Sequence, residues 1–348
     1  MSAARMPARF KDQATMPYKI LVTGAAGFIG AHVAARLAEL GHLVVGCDDF
    51  NDYYDPRLKR DRVRSLLDPR NVGCEDIDIS NASALRGMIE RFAPQLIVHL
   101  AAQAGVRYSI ARPDAYVKSN LVGFANVIEA ARLAHVEHFV YASSSSVYGA
   151  SASIPFLEAQ QTDSPLSFYA ATKKANEAMA HAYSHIHGMR CTGLRFFTVY
   201  GPWGRPDMAY YSFAQRLLLG QPLPVFAEGR LLRDFTYIDD AVEGATRLAL
   251  SPLGPGEAPY ALFNIGNHQP VSVLDFVRTL GEVMKVEPVL EFHPMQPGDV
   301  PATCADVTRL RQRVGFEPSI PLRLGLERFG SWFLDRETRN QGLTGLRT

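Results

Sequence analysis

The stretch Gly24-Ala25-Ala26-Gly27-Phe28-Ile29-Gly30 joins an apolar run at residues 19–23 to a helical pattern at residues 28–40. Glycine allows a tight turn and a close approach of the backbone to a ligand, and the first N–H groups of the following helix are free donors. A strand, a glycine turn and a helix in this order are typical of a parallel α/β sheet that binds a dinucleotide. The spacing is G-x-x-G-x-x-G instead of G-x-G-x-x-G, so the turn alone also fits an ordinary glycine loop.

The same order of elements continues along the chain. Apolar runs at residues 43–47, 96–100 and 138–143 are separated by helical patterns, and residues 192–200 form a further apolar run. Runs that are apolar on both faces are typical of strands in a parallel sheet covered by helices. Beyond residue 200, proline and glycine become frequent and the alternation weakens. The sequence therefore predicts an α/β fold with a doubly wound parallel sheet of the Rossmann type, followed by a second, smaller C-terminal α/β domain.

Composition excludes several classes of function. The 348 residues include 36 Lys plus Arg and 35 Asp plus Glu, and this balance gives no bulk field that would attract a nucleic acid. No apolar run approaches the roughly 20 residues that span a bilayer, so we expect no membrane segment. The cysteines form no C-x-x-C pair, which favours the cytoplasm and a chain without structural zinc. These cysteines are Cys47, Cys74, Cys191 and Cys304.

The ends of the predicted strands supply further candidate cofactor residues. Asp48 ends the second strand, where a carboxylate can accept a hydrogen bond from a ribose 2′-hydroxyl and would repel a 2′-phosphate, so NAD is predicted rather than NADP. Strand ends at residues 78–79 and 100–102 face the same crevice, although simple loop closure explains them equally well. The candidate cofactor residues are Gly24, Gly27, Phe28, Ile29, Gly30, Asp48, Asp78, Ile79, Leu100, Ala101 and Ala102.

Tyr169 and Lys173 lie four residues apart on a predicted helix and therefore share one face. A free tyrosine ionises near pH 10, and a lysine ammonium one turn away lowers that pKa by stabilising the phenolate. A Y-x-x-x-K pattern alone also fits a solvated helix face. The serine run at residues 143–146 favours a catalytic interpretation, because it brings hydroxyl groups to the carboxyl edge of the sheet, where ligands bind. We predict that Tyr169 and Lys173 contact both substrate and cofactor.

Together, these features resemble the extended short-chain dehydrogenase/reductases. Longer motifs are similar to those of UDP-glucuronate 4-epimerases, and the resemblance covers residues 18 to about 306. One departure is Asp49, where the family has asparagine. The motifs are Asp48-Asp49-Phe50-Asn51-Asp52-Tyr53-Tyr54, Ala101-Ala102-Gln103-Ala104-Gly105-Val106-Arg107-Tyr108, Thr198-Val199-Tyr200-Gly201-Pro202-Trp203-Gly204-Arg205-Pro206-Asp207-Met208 and Arg233-Asp234-Phe235-Thr236-Tyr237-Ile238-Asp239-Asp240.

The resemblance implies an isomerase of nucleotide-sugar metabolism that converts UDP-glucuronate to UDP-galacturonate with tightly bound NAD. Tyr169 would take the proton of the sugar 4-hydroxyl while C4 gives a hydride to NAD⁺, and hydride return to the other face of the 4-keto sugar would invert C4. The family's catalytic serine or threonine aligns with Ser144, and Ser146 is the second candidate. The family also implies a homodimer.

Substrate contacts follow from the same resemblance. A 4-keto uronate is a β-keto acid that readily loses CO₂, so its carboxylate must be held, and Arg205 and Thr198 are the candidates for this role. For the UDP part, the resemblance implies Arg233 at the diphosphate, Val225 at the uracil and Asp299 at a ribose hydroxyl. A salt bridge at Arg205, or fold support at the other positions, remains open.

The sequence also predicts the domain organisation. Residues 1–17 are expected to form a flexible tail. Residues 18–200, with a returning segment near residues 236–258, would form the NAD-binding domain. Residues 201–235 and 259–348 would form the UDP-sugar-binding domain.

Several alternatives stay open. A UDP-glucuronate decarboxylase or a UDP-glucose 4-epimerase would share the fold, and a non-catalytic nucleotide-binding module is the alternative from another class. A 4,6-dehydratase is disfavoured, because its Asp-Glu pair is replaced by Ser145 and Ser146. The histidines at residues 181–187 are not expected to bind a metal. Asp239 and Asp240 are expected to cap a helix that begins near Val242.

Overall fold

The structure is a computed structural model that describes residues 16–150, 153–295 and 299–340. The predicted tail lies outside the described residues except for its last two positions. The strands are β1 (Lys19–Thr23), β2 (Leu43–Asp48), β3 (Gly73–Asp76), β4 (Leu96–His99), β5 (His138–Ser144), β6 (Cys191–Phe196), β7 (Thr198–Tyr200), β8 (Leu223–Phe226), β9 (Leu232–Arg233), β10 (Phe235–Tyr237), β11 (Tyr260–Ile265), β12 (Val271–Ser272) and β13 (Leu290–His293).

Helices connect most of these strands. A π-helical turn, Val117–Gly123, joins the fifth and sixth helices into one helical segment. The helices are α1 (Phe28–Glu39), α2 (Pro56–Arg62), α3 (Ala82–Phe92), α4 (Tyr108–Ala111), α5 (Pro113–Tyr116), α6 (Phe124–Leu133), α7 (Phe168–His187), α8 (Ala209–Leu218), α9 (Ile238–Ala249), α10 (Val273–Met284), α11 (Thr308–Val314) and α12 (Leu322–Asn340).

Within the described residues, seven strands form one parallel sheet in the order β11-β6-β5-β4-β1-β2-β3. The chain runs outward from β1 through β2 and β3, then returns to the other side of β1 at β4. This reversal creates a crevice at the carboxyl ends of β1 and β4, where doubly wound sheets bind ligands. The predicted fold class is confirmed.

Both faces of the sheet are buried. Ile20 and Val22 belong to the core on one face and Leu21 to the core on the other, and none of the three is exposed. This alternation follows from the two-residue period of a strand. The fixed strands place their carboxyl ends, and the loops that follow them, at one edge of the sheet.

Two predicted segments differ from the structure. The apolar run at residues 192–200 is divided between β6, in the main sheet, and β7, which pairs with β10. The break is at Phe197, whose N–H donates to the Ile265 carbonyl oxygen at 2.9 Å. The boundary predicted at residue 259 is also wrong in one respect, because β11 pairs with β6 as the edge strand of the main sheet.

The predicted role of the acidic pair Asp239 and Asp240 is also wrong in its position. The helix begins at Ile238, so Asp239 and Asp240 lie within its first turn and do not precede it. Asp240 instead accepts hydrogen bonds from the backbone N–H groups of Ser319 and Ile320. This carboxylate therefore ties the segment at residues 319–320 to α9.

The smaller part of the molecule packs on the carboxyl edge of the sheet. It contains the pairs β8–β13 and β9–β12 together with α8, α10 and α12. Its core is aromatic: the Tyr211 and Phe333 rings lie 5.2 Å apart, centroid to centroid, and Tyr210 and Phe329 lie 5.1 Å apart. In the part of the chain that the structure describes, no helix combines the length and apolarity that crossing a membrane requires.

Candidate active site

A cavity of about 980 Å³ lies between the carboxyl edge of the sheet and the smaller part. This volume is at the upper end of the roughly 300–1,000 Å³ that is usual for ligand sites. It brings together most of the predicted site residues: Gly24, Gly27, Phe28, Ile29, Gly30, Asp48, Ile79, Leu100, Ala101, Ala102, Ser144, Ser146, Tyr169, Lys173, Thr198, Arg205, Arg233 and Asp299.

Two predicted site residues do not line the cavity. Val225 is not exposed at all, because alternate residues of β8 face opposite sides and its neighbours Pro224 and Phe226 face the cavity. Asp78 lies outside the cavity wall, where it pairs with Lys118 Nζ at 2.6 Å and accepts from the N–H of Ser80. For Asp78, the loop-closure interpretation fits the structure.

The glycine turn brings β1, α1 and β4 into close contact. Gly24 has φ +69°, and a Cβ atom there would lie 2.7 Å from the Ala101 nitrogen. A Cβ on Gly30 would collide with the Gly24 carbonyl oxygen. Gly27 is the N-cap of α1 and no side chain caps the helix, so its first amides point at the cavity edge as free donors. This chemistry fits the pyrophosphate of a dinucleotide.

Asp48 is buried at the end of β2. Its Oδ2 accepts from the Ala26 N–H at 3.2 Å, and its Oδ1 accepts from the Phe50 N–H and from Lys59 Nζ, both at 3.0 Å. Burial opposes the charge on Lys59, but the attractions of Asp48, Tyr54 and Asp49 together outweigh it and raise the pKa of this lysine. Lys59 lies on α2 and was missed by the sequence analysis, because nothing in its spacing shows that the helix turns back to β2.

Tyr169 and Lys173 lie on the first turns of α7, which Ser167 caps by accepting from the Ala170 N–H. Lys173 is buried and its Nζ donates to the Ala142 carbonyl oxygen at 3.0 Å. Burial lowers the pKa of Lys173 to about 8. Burial raises the pKa of Tyr169, while a hydrogen bond with Ser144 acts in the opposite direction.

The serines at the end of β5 have different partners. Ser143 Oγ donates to Glu177 Oε1 at 2.6 Å, within a buried pair of Glu177 with Arg195. Ser144 interacts with Tyr169, and its Oγ also accepts from the Ser146 N–H at 3.2 Å. These contacts favour Ser144 over Ser146 as the hydroxyl beside Tyr169.

Arg205 lies in the loop after β7 and faces the cavity. Its Nε donates to Asp207 Oδ1 at 3.0 Å and its Nη2 donates to Asp207 Oδ2 at 2.5 Å. The Tyr53 hydroxyl donates to the same Oδ2 at 3.0 Å. The roles of Asp207 and Tyr53 were not predicted, although both residues lie inside the family motifs given above.

On the side of the cavity formed by the smaller part of the molecule, Arg233 and Asp299 lie beside each other. Arg233 Nη2 is 3.6 Å from Asp299 Oδ1, and Arg233 Nη1 donates to the carbonyl oxygens of Leu232 and Val300. Burial lowers the pKa of Arg233, and Asp299 acts against this shift. Among the described residues, no cluster of His, Cys, Asp and Glu has an arrangement suited to a metal ion.

Comparisons with known proteins agree with this geometry. The model of the NAD dependent epimerase/dehydratase family matches residues 20–266. The chain is 46% identical to UDP-glucuronate 4-epimerase 1 of Arabidopsis thaliana over 329 residues, which is 90% of this chain and 76% of the relative. It is 44% identical to a probable UDP-glucuronate 4-epimerase of Rhizobium meliloti over 331 residues, 90% of this chain and 96% of that protein.

Two solved structures superpose on this chain over most of its length. UDP-glucuronic acid 4-epimerase from Bacillus cereus, in complex with UDP-glucuronic acid and NAD, superposes with a TM-score of 0.84 at 33% identity, covering 91% of this chain and 99% of that one. MoeE5, also in complex with UDP-glucuronic acid and NAD, superposes with a TM-score of 0.79 at 33% identity and the same coverage. From the sequence match, the sheet order and the glycine turn, this chain belongs to the NAD-dependent epimerase/dehydratase family.

Proposed function

We propose that the chain is an NAD-dependent isomerase that interconverts UDP-glucuronate and UDP-galacturonate by inverting C4 of the sugar. The observation that carries this proposal is the presence, in one cavity, of Tyr169, a buried Lys173 one helical turn away and a cavity-facing Arg205. The first pair suits reversible proton transfer, and the arginine suits a sugar that carries a carboxylate.

NAD is the proposed cofactor. The free amides at the start of α1 suit its pyrophosphate, and Asp48 suits a ribose hydroxyl. From the residues that the structure describes, Asp48 Oδ2 receives one hydrogen bond, so that oxygen can accept another. When bound, NAD⁺ supplies an acceptor that takes a hydride from the sugar carbon and later returns it.

Tyr169 is the proposed acid and base. Its Oη takes the proton of the sugar 4-hydroxyl as C4 becomes a ketone and gives a proton back when C4 becomes an alcohol again. Lys173 keeps most of its charge at pH 7, because its pKa is about 8, and an ammonium one turn away stabilises the phenolate. Ser144, which contacts Tyr169, holds the same sugar oxygen in place.

Arg205 and Thr198 are the proposed carboxylate contacts. In the 4-keto form, the C5 carboxylate is β to a ketone, and CO₂ leaves when the bond from C5 to the carboxylate carbon aligns with the carbonyl π-system. A bidentate bond to Arg205 keeps the carboxylate out of that alignment. A UDP-glucuronate decarboxylase would not need this restraint, and a UDP-glucose 4-epimerase would have no carboxylate for Arg205 to bind.

The nucleotide part is proposed to lie on the side of the cavity formed by the smaller part of the molecule. Arg233 suits the diphosphate and Asp299 suits a ribose hydroxyl. The face of β8 that carries Pro224 and Phe226 replaces Val225 as the proposed uracil contact. With β11 moved to the main sheet, the division into an NAD-binding and a UDP-sugar-binding domain is kept as a proposal.

A homodimer and a cytoplasmic location are also proposed. Exposed apolar side chains on the two helical segments Pro113–Leu133 and α7 support the homodimer, because they provide a face that a second copy can cover. They are Val117, Val122, Leu133, Phe168 and Ile186. The cysteines are free thiols, which suits a reducing compartment.

Product analysis tests the function. Purified protein is incubated with UDP-glucuronate, with and without added NAD, and the nucleotide sugars are separated by chromatography. We expect UDP-galacturonate and the starting sugar at equilibrium, with almost no UDP-pentose. UDP-xylose as the main product would support the decarboxylase instead, and recovery of unchanged UDP-glucuronate would contradict both.

A further inference from the structure

Asp207 lies where three loops of the cavity meet. Its carboxylate accepts from Tyr53, in the loop after β2, and from Arg205, in the loop after β7. The loop after β4 approaches at Gly105, where a Cβ atom would lie 3.1 Å from the Tyr53 hydroxyl and 3.7 Å from Asp207 Oδ2. Gly105 has φ +106°, a conformation that side chains rarely adopt. The proposed reaction as described above uses Arg205 but gives Asp207 no part.

The guanidinium of Arg205 is bonded along only one edge. Its five N–H groups can serve two carboxylates side by side, one through Nε and Nη2 and the other through Nη1 and Nη2. Asp207 takes the first edge. Among the residues that the structure describes, none accepts a hydrogen bond from Nη1, although Arg205 faces the cavity. The second edge therefore has the geometry for a carboxylate that is not part of the protein.

All three groups keep their ionic state at neutral pH. Burial works against the charges of Arg205 and Asp207, but their attraction for each other raises the pKa of the arginine and lowers the pKa of the aspartate. Burial and the Asp207 charge raise the pKa of Tyr53 to about 12, so its hydroxyl stays protonated and donates to Asp207. Asp207 is thus held from two loops.

We propose that Asp207 is a positioning residue. It holds the Nε–Nη2 edge of Arg205, so that the Nη1–Nη2 edge meets the carboxylate of the bound uronate. This inference rests on the proposed function. Because Asp207 neutralises Arg205, the pair selects a carboxylate by the direction of its N–H groups rather than by excess charge. Tyr53 fixes the orientation of Asp207, and Gly105 gives the hydroxyl of Tyr53 the space to do so.

A different mechanism makes the opposite prediction. If Asp207 only occupied Arg205 until substrate arrived, the two carboxylates would compete for the same edge. Removing the charge of Asp207 would then strengthen the binding of UDP-glucuronate. If Asp207 positions Arg205, removing its charge weakens that binding.

The test compares two ligands that differ only in the sugar carboxylate. Calorimetric Kd values for UDP-glucuronate and UDP-glucose are measured on the NAD-loaded parent and on the Asp207→Asn variant. We expect the Kd for UDP-glucuronate to rise about tenfold or more, as for a lost charge-assisted hydrogen bond, and the Kd for UDP-glucose to change less than about twofold. Tighter binding of UDP-glucuronate, or an unchanged ratio of the two constants, overturns the proposal.

Two further variants complete the design. Tyr53→Phe removes only the hydroxyl that fixes Asp207, and we expect a smaller change of the ratio in the same direction. If Asp207→Asn does not fold, Tyr53→Phe decides, and an unchanged ratio in that variant counts against the proposal. Glu228→Gln is the matched control, because Glu228 pairs with Arg230 at the same sequence spacing but on the exposed surface.

Product analysis separates this proposal from the function itself. A parent protein that binds UDP-glucuronate without epimerising it would contradict the proposed function and leave the ratio of Kd values readable. In an active parent, we expect Asp207→Asn to release a larger fraction of UDP-pentose. A variant of unchanged fold that merely turned over more slowly, with the parent's product ratio, would contradict the positioning role.

Discussion

Two pairs of residues in the cavity, Tyr169 with Lys173 and Arg205 with Asp207, hold their ionisable groups in opposite ways. Among the described residues, neither Tyr169 nor Lys173 forms an ion pair. Burial moves both pKa values toward the neutral forms, and at Tyr169 the hydrogen bond with Ser144 and the charge of Arg205 act against this shift. Arg205 and Asp207 form a partly buried ion pair, and their attraction holds both in the charged forms. Proton transfer needs groups that change protonation state easily, whereas anchoring a carboxylate needs a charge that stays.

Of the substitutions at Lys173 and Arg205, Lys173→Met is expected to have the largest effect on turnover. Without the ammonium, nothing on α7 stabilises the phenolate of Tyr169, so we expect kcat to fall by about a hundredfold or more. Turnover of UDP-glucuronate under saturating conditions measures it. Lys174→Met is the matched control, because Lys174 Nζ donates to Thr162 Oγ1, away from Tyr169, and activity there should stay near the parent's. Equal losses in the two variants would contradict the role of Lys173.

In the pair of Arg205 with Asp207, Arg205→Ala removes the positive charge. We expect turnover to fall by about ten- to a hundredfold and UDP-pentose to appear, because the carboxylate of the keto sugar is no longer held. Chromatography of the products gives both quantities. Arg205→Lys keeps the charge without the planar guanidinium, so its turnover and its fraction of UDP-pentose should lie between those of the parent and of Arg205→Ala. Normal epimerisation by Arg205→Ala, with no pentose formed, would remove the carboxylate contact from the account.

The smallest expected effect is on stability. Because the pKa of Lys173 is about 8 in the folded protein and about 10.4 unfolded, the unfolded chain binds more protons between these values, and stability rises with pH there. At pH 7 we expect Lys173→Met to have a free energy of unfolding up to about 3 kcal/mol above the parent's, because the buried ammonium is gone. Urea unfolding measures this difference. The advantage should shrink toward pH 10. An advantage of equal size at both pH values would contradict the lowered pKa of Lys173.

The fold was predictable because its signals are local. The glycine turn, the apolar strands and the Tyr169–Lys173 spacing depend only on neighbouring residues. The split of residues 192–200 and the place of β11 were missed, because pairing between distant strands leaves no periodic signal. The orientation of Val225 was missed for a related reason: strand alternation gives two faces but not which one meets the cavity.

The partners of the site charges were the least predictable part. The sequence offers Asp48, Lys59, Arg205 and Asp207 as separate charges. Only the fold shows that they form two ion pairs, one buried and one partly buried. Lys59 comes back to β2 through the course of α2, and Tyr53 meets Asp207 from 154 positions away. Such contacts depend on how loops meet after the sheet has formed.

In the proposed reaction, the hydroxyl of Tyr169 carries the proton that leaves and returns at the sugar 4-oxygen. Tyr169→Phe, assayed for conversion of UDP-glucuronate to UDP-galacturonate beside the control Tyr183→Phe on the same helix, tests it most directly. We predict that Tyr169→Phe loses activity by about a hundred- to ten-thousandfold with an unchanged Tm, while Tyr183→Phe stays near the parent. A Tyr169→Phe protein that interconverts the two sugars at the parent's rate would contradict the claim.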